Sequence, residues 1–128
     1  MPLACPCGSR SPLGTCCLPV VHGERPAVTA VELMRSRYTA YVLGDADHVW
    51  RTWHPRTRPA EVDLADGPAW DGLTVHAVVG GGPGDDTGTV EFTATWGGPG
   101  GRGRLHETSR FARRAGRWFY VDGDVDES

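Results

Sequence analysis

At 128 residues the chain is the size of one domain and long enough to bury a hydrophobic core. An apolar share of 39% and a charged share of 23% exclude a disordered chain, and a formal charge of −3 argues against a nucleic-acid reader. No run of about 18 apolar residues is present to span a membrane, and no basic-then-apolar start marks secretion. The expected setting is therefore cytoplasmic and reducing, where clustered cysteines are metal ligands more often than disulfides.

Residues 1–24 show no periodicity and hold all four cysteines. They predict a cap held by metal or disulfide, without helix or sheet, ahead of a main domain over 25–128. Cys5-Pro6-Cys7 and the adjacent Cys16-Cys17 supply four thiolates, the number a closed tetrahedral zinc site needs. Gly8, Ser9 and Gly14 let the backbone fold tightly around one ion. His22 is a conceivable substitute ligand, but four sulfurs leave it no vacancy. Two disulfides or free thiols are the alternatives, and the reducing setting weighs against the first. A redox thiol pair is disfavoured because no Cys-x-x-Cys occurs. One structural zinc per chain is the expectation.

Thr29-Ala30-Val31-Glu32 is a capping-box pattern, and Val31, Met34, Tyr38, Tyr41 and Val42 recur behind it at helical spacing. This predicts a helix to about Leu43, stopped by Gly44. Asp45 or Asp47 then caps a short helix carrying Val49, Trp50 and Trp53 and ended by Pro55. Residues 56–68 read as a polar loop.

Four strands follow, with Leu73–Val79, Val90–Trp96, Leu105–Phe111 and Trp118–Asp122 as their alternating stretches. The glycine-rich runs at 80–84 and 97–101 are turns. They lack the Lys-Ser or Lys-Thr and the helix that a phosphate cradle requires. The predicted fold is α+β: an N-terminal zinc knuckle, then two helices packed on a curved antiparallel sheet of about four strands. A cone of that shape often encloses a cavity.

Cys5-Pro6-Cys7-Gly8-Ser9 up to Cys16-Cys17 resembles the SEC-C zinc motif. Leu33–Tyr38, Thr52–Pro55, Val90–Phe92, His106–Phe111 and Trp118–Gly123 are similar to blocks of the YchJ-like family, in the same order and over nearly the whole chain. The resemblance implies zinc in the knuckle and a nuclear-transport-factor-2-like cone behind it, but no reaction. One departure stands out: the motif usually continues with glycine, and Arg10 stands there.

On the third strand Glu107 shares the apolar face of Leu105, Ser109 and Phe111, so it is expected inside the cone. A carboxylate there needs a partner: Arg35 or Arg37 on the first helix is nearest by sequence logic, and a Tyr or Trp donor inside the cone is the alternative. Glu107 is either a structural anchor between helix and sheet, a general acid or base in a pocket, or simply exposed. Tyr38, Tyr41, Trp53, Trp70, Trp96 and Trp118 are candidates to line a ligand cavity with Arg35, Arg37, Glu107 and Ser109. His106 falls on the opposite strand face, which excludes a simple Glu107–His106 dyad, and His54 and His76 are weaker candidates still.

No serine–histidine–aspartate order or paired-carboxylate spacing appears. The balance favours a binding module for an unknown protein or small ligand over an enzyme using Glu107. Arg102, Arg104, Arg110, Arg113, Arg114 and Arg117 form a basic concentration on the last strands, read as a solvated face able to meet an anionic partner. Monomer and homodimer through the open sheet face are both compatible with the pattern.

Overall fold

The computed structural model describes residues 3–65 and 67–126. The cysteine segment turns back on itself about an Ala4–Pro12 bridge, where Cys5 N–H donates to Ser11 O and Leu13 N–H to Leu3 O, both at 2.8 Å. One helical turn, α1 (Leu18–Val21), follows. It corrects the expectation of a helix-free cap. Pro19 occupies its first turn, where no N–H is missed, and Val20 and Val21 are buried, a pair too short to show a period.

α2 (Ala30–Leu43) begins where Thr29 Oγ1 accepts the Glu32 N–H at 3.1 Å. The Glu32 carboxylate takes the Val28 N–H at 2.8 Å, so the cap reaches one residue further back than a simple box. Gly44, left-handed at φ 77°, ends the helix. Asp45 caps α3 (Ala46–Arg51) by accepting the His48 N–H at 3.1 Å. Trp53 lies beyond that helix, in a strap whose backbone joins the sheet edge: His54 N–H donates to Tyr120 O at 2.7 Å and Tyr120 N–H to Thr52 O at 2.8 Å. The strap satisfies edge groups of the last strand.

β1 (Trp70–Gly80), β2 (Thr87–Gly98), β3 (Gly101–Arg114) and β4 (Arg117–Asp126) form an antiparallel meander in the order β1-β2-β3-β4. Ala115 and Gly116 join β3 to β4 at φ 52° and 79°, the mirror-image turn that matches the twist of a hairpin. Three irregularities break strict alternation. Asp71 and His76 are extra residues in β1, and Val121 is an extra residue in β4. After His76 it is Val78, not Val79, that stands opposite the buried Val90.

The helices cover one face of the sheet, and one core runs from Cys5, Cys7, Cys17, Val20 and Val21 through Leu33, Met34 and Tyr38 to Val90, Phe92, Phe111 and Trp118. α2 is buried on more than the predicted stripe. Tyr41 and Val42 are partly exposed, whereas Ser36, Arg37 and Thr39 are buried because α3 and the knuckle also pack on this helix. Among the described residues no helix is long and apolar enough to cross a membrane.

Candidate metal centre and cone cavity

Left-handed Gly8 (φ 83°) and Arg10 (φ 71°) tighten the loop after Cys7, and the α1 turn presents Cys16 and Cys17 from the other side. The four sulfurs lie within 4.8 Å of one another. Cys7 and Cys16 Sγ are 3.7 Å apart, and Cys16 and Cys17 Sγ 4.0 Å. A tetrahedral ion bonded to four thiolates at ~2.3 Å spaces its sulfurs by about 3.8 Å, so the cluster fits a single ion. His22 is elsewhere, its Nδ1 3.6 Å from Glu24.

The surroundings suit a negatively charged centre. Arg35 Nη1 donates to Cys7 O at 2.5 Å and Arg25 Nη2 to Cys16 O at 3.2 Å, while Ser9 Oγ lies 3.1 Å from Cys16 Sγ. The bond with Cys17 draws the Cys7 thiol down to about 4 against the opposing effect of burial, and the same bond pushes Cys17 up. Burial raises Cys16. Four thiols crowded this closely cannot all ionise unless a cation shares the charge.

The second site is a cavity of about 210 Å3 between α2 and the sheet, lined by Glu107 and Ser109, Arg37, Tyr38, Tyr41, Trp53, Trp70, Tyr120 and the apolar Met34, Phe92, Leu105 and Phe111. Glu107 Oε2 accepts from the Ser109 hydroxyl and lies 3.4 Å from the Tyr120 hydroxyl. Its Oε1 takes no hydrogen bond among the described residues. Gly123 leaves room for this carboxylate, since a Cβ there would overlap it.

Arg37 does not bond Glu107. Its Nη1 donates to Val49 O and Thr52 Oγ1, both at 2.8 Å, and its guanidinium lies 4.6 Å from the Tyr120 ring centre and 5.4 Å from that of Trp53. Burial lowers its pKa to about 10, opposed by the charges of Tyr41, Tyr120 and Glu107. Burial, then the Glu107 charge, pushes the Tyr120 hydroxyl up, so it remains a donor. Trp53 Nε1 is buried and has no partner among the described residues.

Three predicted cavity residues are placed differently. Arg35 braces the knuckle because it lies on another side of α2. Trp96 covers Gly103, its partner on β3, near the β2–β3 turn. Trp118 is buried, but its Nε1 donates to Val28 O at 3.1 Å in the connector before α2 and it does not line the cavity. Tyr120 is the residue the sequence reading missed. Its signal was present, since it stands two positions from the inward-facing Trp118, and the regular register from the Ala115-Gly116 turn sets it opposite Phe111. His106 faces outward, with Nε2 2.8 Å from Glu91 and its ring 5.8 Å from that of His76.

A four-cysteine knuckle packed on a helix-covered antiparallel sheet defines a small α+β protein with a metal-type N-terminal cluster and a cone. The family model described as "YchJ, middle NTF2-like domain" matches residues 29–123, and the chain belongs to that family. A UPF0225 protein of Deinococcus radiodurans is 51% identical over 119 residues, covering 92% of this chain and 86% of the relative. One from Streptomyces coelicolor is 48% identical over 120 residues, covering 94% of each. The solution structure of a SEC-C motif containing protein from Rhodopseudomonas palustris superposes with a TM-score of 0.83 at 32% identity, covering 99% of this chain and 100% of that one. A crystal structure of another such protein, from Psychrobacter arcticus, gives 0.76 at 29% identity, covering 98% and 84%.

Proposed function

We propose that the protein is a binding module in which the knuckle holds one structural zinc ion and the cone receives a small ligand. Zinc suits the site because four thiolates in a tetrahedron are its usual structural environment. Four sulfurs leave no open position for water, so such an ion shapes the knuckle and activates no nucleophile. Elemental analysis of protein prepared under reducing conditions should find about one zinc per chain. Oxidised cysteines and no zinc would sink the metal assignment.

The observation that carries the ligand reading is the cavity itself, apolar on most of its wall, with one carboxylate presented from the sheet. At about 210 Å3 it exceeds the roughly 150 Å3 that accommodates benzene. A ring-sized molecule with one donor group matches it, the ring against Phe92, Phe111 and Tyr38 and the donor at Glu107. Benzylamine, benzyl alcohol and benzoate separate the possibilities in a titration followed by NMR at Trp53 and Tyr120. The amine should bind best and the acid worst, and Glu107→Gln should weaken the amine about tenfold. No saturable shift with any of the three would mean that the space is closed core. The competing reading, an enzyme using Glu107 for proton transfer, predicts turnover that Glu107→Gln abolishes while the fold is kept.

A further inference from the structure

A cavity of about 480 Å3 shares no lining residue with the cone cavity and opens at the seam between the connector after α1, α3, the following loop and the start of β4. Four guanidiniums line it, from Arg25, Arg51, Arg58 and Arg117, against one carboxylate, Glu24. All 13 basic side chains of the protein are arginine, whose planar fork matches phosphate and carboxylate oxygens in pairs. Arg25 and Arg51 already pair with Glu32 at 3.0 Å and Asp47 at 2.6 Å.

The other two are uncompensated. Arg58 is held by neutral groups, the Trp53 and Arg51 carbonyls at 3.1 and 3.3 Å and the Trp50 ring at 3.9 Å. Arg117, exposed at the first position of β4, has no partner among the described residues. At neighbouring His54, slight desolvation and the fields of Arg56, Arg114 and Arg58 hold the imidazole below the usual histidine range.

A buried acceptor lies in the same wall. His48 is 1% exposed, and its Nε2 is 3.0 Å from Ser36 Oγ. The Ser36 hydroxyl donates to Leu33 O at 2.7 Å, so Nε2 must carry the ring proton and Nδ1 is a lone pair. That Nδ1 has no partner among the described residues and is closed off from the cavity, so His48 reports on the wall and does not contact a ligand through Nδ1. We propose that the seam binds a small polyanion, its oxyanions on Arg58 and Arg117.

The test titrates the full zinc-loaded chain at constant ionic strength with malate, with succinate (which lacks only the hydroxyl), and with 3-phosphoglycerate, following His48 and arginine side-chain resonances by NMR. Malate and succinate should bind alike through their two carboxylates, and 3-phosphoglycerate reports whether phosphate serves better than carboxylate. Arg117→Glu should weaken binding by about tenfold or more. Arg102→Glu makes the same charge change at the β2–β3 end of the sheet and should have little effect. An unchanged melting temperature checks that Arg117→Glu still folds. Equal weakening by both variants would reduce the effect to net charge and overturn the site. So would the absence of saturable shifts at His48 and Arg58 with all three anions at about 10 mM.

Discussion

The knuckle and the cone are held by different physics, although they share one core. The knuckle's backbone is a tight turn and one helical turn, and what joins its two cysteine pairs is the capacity of four sulfurs to share a cation. The cone is held by a four-stranded sheet and a 14-residue helix with Met34, Tyr38, Phe92, Phe111 and Trp118 between them. One region is therefore expected to depend on thiol protonation and metal supply, the other on burial. Their junction is polar as well as apolar: Arg35 bonds Cys7 O, and Thr39 Oγ1 lies 3.7 Å from Cys5 Sγ. A disturbance of the knuckle must reach α2, attenuated by that helix's own packing on the sheet.

The largest expected effect comes from Cys16→Ser. Apparent metal free energies in small structural sites are on the order of 10 kcal/mol, more than a short segment without sheet pairing recovers from packing. The variant should lose its metal, and amides of residues 3–24 should exchange rapidly while those of β2 and β3 stay protected. Hydrogen exchange read by mass spectrometry distinguishes the regions. Simultaneous loss of protection in β2 and β3 would show that the two regions unfold as one unit.

A smaller effect, this time on the cone side, follows from His48. Burial, with the positive fields of Arg37 and Arg51, lowers its pKa to about 4, while Asp45 and Asp47 oppose. The unfolded imidazole titrates near ~6.5 and so binds a proton between pH ~6.5 and ~4 that the folded one does not. Stability should therefore fall as the pH drops through that window, by up to about 3 kcal/mol, and level off below it. His48→Gln, measured beside the parent in urea at pH 7, 6, 5 and 4, should remove this component. The difference between the two curves isolates it from acid release of the knuckle's metal. Parallel curves would mean that His48 is not kept neutral by the fold.

The two regions also differed in how much could be read in advance. The knuckle's cysteine cluster was legible because it depends on residue type and number. The inward face of β3, carrying Glu107 and Ser109, was legible because no bulge interrupts its pairing with β2. Of the partners expected for Glu107, the tyrosine donor is present as Tyr120 at 3.4 Å, and the arginine is not. Arg35 and Arg37 are two positions apart on α2, so they point about 200° from each other, and only one enters the cone. Ser36 and Thr39 fall outside the predicted stripe yet are buried, because a helix packed on three sides has no single apolar stripe. Bulges at Asp71, His76 and Val121 shift side chains without any compositional mark.

The smallest expected effect returns to the knuckle and tests how far its geometry, apart from its metal, matters. Arg10 stands where the motif it resembles carries glycine, and it is left-handed at φ 71°. A side chain in that conformation costs about 1–2 kcal/mol relative to a helical or extended one, whereas glycine adopts it freely. Arg10→Gly removes that strain but gives the unfolded chain more freedom, which offsets roughly 0.4–1 kcal/mol of the gain. The net expectation is a stabilisation of about 0.5–1 kcal/mol, with metal content unchanged. It should appear in the knuckle first, as slower release of metal to a competing chelator, because the turn containing Arg10 links Cys7 to the Ser11 carbonyl that pairs with Cys5 N–H. Faster release from the glycine variant would show that Arg10 pre-orders the turn, and the strain assigned to it would be wrong.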